Sequence, residues 1–113
     1  MRRGEVYWYR FRSPDKRRPV VVLTRSDLLG HLGTVTVAAV TSTIRTVASE
    51  VALGVSDGLP RPCAVNLHNV FTVPKDEAGP YVATLSPDVM LRVDRALVFA
   101  LGVGEGPRPA FVE

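Results

Sequence analysis

Polar and apolar positions alternate from Gly4 to Arg12. Val6 and Trp8 fall on one side, and Tyr7, Tyr9 and Phe11 on the other. That two-residue period predicts a strand with an aromatic-bearing surface on both faces. Ser13-Pro14-Asp15-Lys16 has turn chemistry. An unbroken apolar run follows, Pro19-Val20-Val21-Val22-Leu23-Thr24. Its length and β-branched content predict a strand buried on both faces, with Pro19 as its first residue because proline has no N–H to give a ladder. Thr34 to Val40 predicts a third strand, Ser49 to Leu53 a short fourth, Cys63 to Asn69 a fifth that continues past a bend through Phe71-Thr72-Val73, and Tyr81 to Leu85 a sixth. Asp27 to Gly33 predicts a polar connection holding a helical turn, and Gly54 to Pro62 an exposed loop.

Helical periodicity appears only near the end. Ser86 suits an N-cap, Pro87 the first helical position and Asp88 the positive end of the helix dipole. Met90, Val93, Leu97 and Leu101 recur at helical spacing as the expected buried stripe, and Gly102 is a natural stop. Short strands parted by turns, with one closing helix, predict a mainly β fold: a small antiparallel barrel with an appended C-terminal helix. Residues 1–101 are expected to form one domain and residues 102–113 a flexible tail, since Gly and Pro recur there with little to bury.

Charge sharpens this picture. The chain of 113 residues carries net charge +3. Its first 25 residues hold eight of the fourteen Lys and Arg against only Glu5 and Asp15, so they are net +6 and the remainder is net −3. A basic first quarter on an acidic remainder points to a polyanionic partner, nucleic acid above all. No segment is long and apolar enough to span a membrane, and Arg2-Arg3 lead straight into a strand pattern rather than a signal peptide. A single cysteine, Cys63, gives no disulfide framework and fits a cytoplasmic protein. Two histidines and one cysteine far apart in sequence give no metal-ligand spacing, and no carboxylate cluster suits magnesium, so no metal or other cofactor is expected. No nucleophilic-serine elbow, phosphate-binding glycine loop or dinucleotide fingerprint is present.

Three features remain as candidate chemistry. Arg18 stands at the head of a core strand, a permanent cation on a rigid element. Thr41-Ser42-Thr43 closes another strand with hydroxyls. Asn66 and His68 alternate in an otherwise apolar strand, so both face either a groove or a hydrogen-bonded core.

Four stretches together resemble the MazF/PemK family of bacterial toxins. They are Arg3-Gly4-Glu5-Val6-Tyr7-Trp8, Arg18-Pro19-Val20-Val21-Val22-Leu23-Thr24, Val37-Ala38-Ala39-Val40-Thr41-Ser42, and the long segment from Leu59 to Lys75. The resemblance implies an SH3-like, CcdB-like barrel. It also implies a metal-independent, sequence-specific endoribonuclease toxin that cuts single-stranded RNA through its own 2′-OH. Such a toxin works as a homodimer, and a cognate antitoxin binding the same groove neutralises it. The family's arginine and threonine roles fall on Arg18 and Thr41. Lys16, Arg17, Ser42, Arg45, Asn66 and Asn69 are the accompanying RNA-binding candidates. The chain departs from the family pattern twice. It lacks the family's Gly-Ser-Glu element before Arg-Pro, with only Asp15 nearby, and it has His68 where an acidic residue is usual. His68 is thus a candidate general base or RNA contact. The competing readings are a CcdB-like gyrase poison and a non-catalytic RNA-binding barrel that stacks bases on Tyr7, Trp8 and Tyr9.

Overall fold

A computed structural model describes residues 1–12 and 16–105. The strands are β1 (Glu5–Phe11), β2 (Lys16–Val22), β3 (Thr34–Thr41), β4 (Glu50–Leu53), β5 (Cys63–Pro74) and β6 (Tyr81–Thr84). The helices are α1 (Ser26–Leu29) and α2 (Pro87–Leu101), with short 3-10 turns at Val55–Asp57 and Lys75–Glu77. Among the described residues the strands pair antiparallel, in the order β4-β5-β3-β2-β1-β6. The expected barrel is realised as a curled six-stranded sheet, a half-barrel whose edges are β4 and β6.

The two-residue period sorts side chains onto two surfaces. On one surface Val6, Val21, Ala38, Val40, Val65 and Leu67 meet Val89, Val93 and Ala96 of α2 in the main core. On the other, Tyr9, Val20, Val22, Val35 and Val37 gather with Leu29, flanked by Phe11 and Phe71. That double burial is why β2 and β3 are nearly continuous apolar runs. Each fully buried valine or leucine contributes about 1.5–3 kcal/mol.

α2 begins as its sequence dictates. Ser86 Oγ accepts from the Val89 N–H at 3.2 Å, Pro87 takes the first helical position, and Gly102 at φ +68° ends the helix. The buried stripe differs from the expected one. Val89, Val93 and Ala96 are buried, Met90 and Leu97 are half-buried, and Leu101 is 63% exposed. At 3.6 residues per turn the contact face drifts round the helix, and by the last turn Leu101 has rotated off it. Arg3 ties the helix to the sheet: its Nε donates to the Leu23 carbonyl at 2.8 Å, and its guanidinium pairs with Asp94 at 2.8 Å. Of the expected tail, residues 106–113 lie outside the described residues.

β2 starts three residues earlier than expected, and Pro19 sits inside it opposite Trp8. The Trp8 N–H donates to the Pro80 carbonyl and the Trp8 carbonyl accepts from the Gly79 N–H, so both polar groups of Trp8 point away from β2. Trp8–Pro19 is therefore a non-hydrogen-bonded pair of the ladder, and no N–H is required of Pro19 there. On its other side β3 pairs only as far as Val20–Ala39, so Pro19 costs no bond in that direction either.

β5 carries a wide bulge. Ala38 pairs with Val70 but Ala39 pairs with Asn66, which leaves Leu67, His68 and Asn69 unmatched by β3. Leu67 stays in the core and its N–H donates to the Ser49 carbonyl at 2.8 Å, while His68 is exposed. The extra residues bend β5 and curl the sheet.

The loop after β4 closes the gap toward β6. Leu59 is 2% exposed, and Gly58 beside it adopts φ +93°. A Cβ on Gly58 would stand 2.7 Å from Ala83 Cβ of β6. Left-handed backbone and a blocked side-chain position both demand glycine. Gly58→Ala is expected to lower unfolding free energy by about 2–3 kcal/mol. Urea denaturation checks this, and an unchanged midpoint would show that the loop does not hold the two edges together.

Candidate active site

The end of the sheet where β2 begins and β3 and β4 finish opens into a cleft of about 420 Å³. The β2–β3 register brings its two central residues together. Val22 pairs with Val37, Val21 with Ala38 and Val20 with Ala39. Continued by two residues, the same register sets Arg18 opposite Thr41, on one face of the sheet. Both are half-buried and both line the cleft. Because Trp8–Pro19 is a non-hydrogen-bonded pair, the alternation makes the next pair, Tyr9–Arg18, a bonded one. The Arg18 backbone is thus anchored to β1 at both its N–H and its carbonyl.

The cleft's electrostatics are one-sided. Arg17, Arg18 and Arg61 line it, and among the described residues no carboxylate does. The Arg18 guanidinium makes no hydrogen bond or ion pair with any described residue, so its fork of five donors faces the cleft free to grip an anion through two oxygens. Arg17 lies over the Trp8 ring at 5.0 Å, a cation–π contact that steadies both. Thr41 Oγ1 accepts from the Thr43 N–H at 3.1 Å. That bond occupies a lone pair and leaves the hydroxyl proton to donate outward. Ser42 and Thr43 add exposed hydroxyl groups on the same rim.

Cys63 forms part of the cleft wall but is 5% exposed. Burial pushes its thiol above the ordinary range, the Asp57 charge adds to this, and Arg61 opposes it. A thiol held neutral in this way is a packing group and a poor nucleophile. The cleft therefore offers guanidinium and hydroxyl groups: donors for a tetrahedral anion, arranged around an opening of nucleotide size.

Residues 2–101 match the family described as "PemK-like, MazF-like toxin of type II toxin-antitoxin system". The chain belongs to this family. It is 34% identical over 101 residues to endoribonuclease MazF4 of Mycobacterium tuberculosis, covering 89% of this chain and 92% of that protein. Its fold superposes on that of the Mycobacterium tuberculosis toxin MazF-mt6 with a TM-score of 0.79 at 32% identity, covering 87% of this chain and 96% of the other. A mycobacterial endoribonuclease solved in complex with its cognate antitoxin matches with a TM-score of 0.81 at 32% identity, over 96% of this chain and 99% of that one.

Among the expected site residues of this PemK/MazF chain, the cleft gathers Arg17, Arg18, Thr41 and Ser42. It does not gather Arg45, Asn66, His68 or Asn69. Arg45 is exposed on the loop after β3, where its N–H donates to Glu50 Oε1 at 2.9 Å. Asn66 pairs with Ala39 and Glu50 in the ladder, and its Oδ1 accepts from the His68 N–H at 2.9 Å. His68 and Asn69 ride the β5 bulge, with His68 exposed and Asn69 half-buried. Lys16 opens β2, and its side chain is outside the described residues. Sequence reading missed Arg61, and it brought in Trp8 only as a stacking ring of the non-catalytic reading. The missed signal for Arg61 is the Pro60-Arg61-Pro62 frame: two prolines stiffen the loop and hold a cation over the cleft.

Proposed function

We propose that this chain is a metal-independent, sequence-specific endoribonuclease toxin acting on single-stranded RNA in the cytoplasm. It assembles as a homodimer and is silenced by a cognate antitoxin whose segment occupies the same cationic cleft. The observation that carries this reading is that Arg18 and Thr41, from the neighbouring strands β2 and β3, line one cleft with three guanidinium groups and no carboxylate among the described residues.

RNA brings its own nucleophile, so little covalent chemistry falls to the protein. It must hold the phosphodiester in line with the 2′-OH and stabilise the charge that grows on the phosphoryl oxygens. Arg18 grips two of those oxygens as the pentacoordinate state forms. Thr41 donates its hydroxyl proton to the same phosphate, its oxygen oriented by the Thr43 N–H. Attack by the 2′-oxygen forms its bond to phosphorus as the bond to the 5′-oxygen breaks; the 2′-OH proton passes to solvent water and the 5′-oxygen takes a proton from solvent, giving a 2′,3′-cyclic phosphate and a 5′-OH end. Arg17 and Ser42 hold the strand beside the cut. Arg45, Asn66, His68 and Asn69 contact RNA beyond the cleft, and Lys16 adds charge at the head of β2. His68, outside the cleft lining, fits this contact role better than that of general base.

In EDTA, the purified protein is expected to cut a long RNA at a short recurring sequence. Arg18→Ala should lower kcat/KM about 10²–10³-fold, and Thr41→Val about 10–100-fold. Retention of RNA without cleavage, or full activity in Arg18→Ala, would sink the assignment. For His68→Ala, the expected result is a pH–rate profile of unchanged shape with a loss of less than about tenfold. Disappearance of a limb of that profile would make His68 the base after all.

A further inference from the structure

Trp8 and Arg17 line the cleft, and they also line a second, smaller hollow together with Arg10 and Glu77. Tyr9, Arg10 and Glu77 continue from that hollow into a third, walled by Phe11 and Phe71. Each depression shares wall residues with the next, so a row of adjoining hollows, a groove in this sense, leads away from Arg18 along β1. From Trp8 to Phe11 it covers about 10 Å at strand rise. The groove has a consistent chemistry. Phe11 meets Phe71 at 5.2 Å and Tyr9 at 5.1 Å between ring centres, a half-buried aromatic shelf. Arg10 and Arg12 are exposed beside it, and neither makes a hydrogen bond or ion pair with a described residue. Among the described residues Glu77 is the one carboxylate lining the groove, and the Tyr9 hydroxyl donates to its Oε1 at 2.9 Å. That bond fixes the carboxylate and leaves its second oxygen free to accept.

Resting on the ribonuclease reading, we propose that this groove is a flanking-nucleotide site. A base next to the cleaved dinucleotide stacks on the Phe11–Phe71 shelf, its backbone phosphate is neutralised by Arg10 and Arg12, and Glu77 reads its edge. Cations beside aromatic faces are what a single strand requires, since every base has a face to stack and every linkage carries a charge. A carboxylate only accepts, so Glu77 selects a base whose exposed edge donates. Guanine offers two adjacent donors there.

The test uses the wild-type cleavage sequence in two RNAs, one trimmed to the nucleotides adjoining the cut and one extended on each side in turn. On one side, extension should lower KM about tenfold or more. Phe71→Leu, which keeps an apolar side chain for packing, and the surface change Arg10→Ala should erase that gain and leave cleavage of the trimmed RNA unchanged. Glu77→Gln should alter which base is preferred at the flanking position. Equal cleavage of trimmed and extended RNA by the wild type would overturn the proposal. So would variants that lose activity on both RNAs alike, or a flanking-base preference untouched by Glu77→Gln. Failure of the wild type to cut any RNA would instead bring down the ribonuclease reading, and this site with it.

Discussion

Arg18 and Thr41 line one cleft because β1, β2 and β3 pair in one particular register. A one-residue slip in either ladder would turn Arg18 to the opposite face of the sheet. The register is held by burial on both surfaces. Val20 and Val22 belong to one core and Val21 to the other, so a slip would carry each of them into the wrong one. The Arg18 guanidinium has no partner among the described residues, and its position is set by the apolar residues that follow it. Pro19 fits the same frame. It lies at a pair that needs no N–H from it, and the bonded pair beyond it fixes the Arg18 backbone.

Much of this was legible in the order of residues. Runs such as Val20-Val21-Val22 and alternations such as Val6 to Phe11 specify strands through side-chain period alone, and Ser86-Pro87 specifies a helix start through local hydrogen bonding. Arg18 and Thr41 each stood out at a strand end, and it was the resemblance to the family that joined them in one proposed site. What escaped was long-range. Nothing local announces that β5 inserts Leu67, His68 and Asn69 against a single step of β3, since the bulge is a property of two strands. For the same reason the alternation of Asn66 and His68 did not bring them to the cleft. Arg61 went unassigned because its loop joins β4 to β5, and only the folded sheet carries it beside Arg17 and Arg18. Leu101 was misplaced because a regular spacing does not reveal where the helix leaves the sheet.

The cleft's charge explains how one surface can serve two partners. Three arginines without a carboxylate among the lining residues favour a polyanion and penalise an empty groove through mutual repulsion. RNA relieves that repulsion, and so does an acidic peptide segment. On the proposed function, competition between RNA and an antitoxin for this cleft would follow from that charge alone, with no change of fold.

Cleavage in this cleft requires Arg18 and Thr41 to meet over one phosphodiester. The most direct measurement is a crystal structure of the protein with its cleavage sequence, carrying 2′-deoxyribose at the cut so that no attack can occur. The scissile phosphate is expected within hydrogen-bond distance of both the Arg18 guanidinium and Thr41 Oγ1. A scissile phosphate seated elsewhere, touching neither side chain, would contradict it.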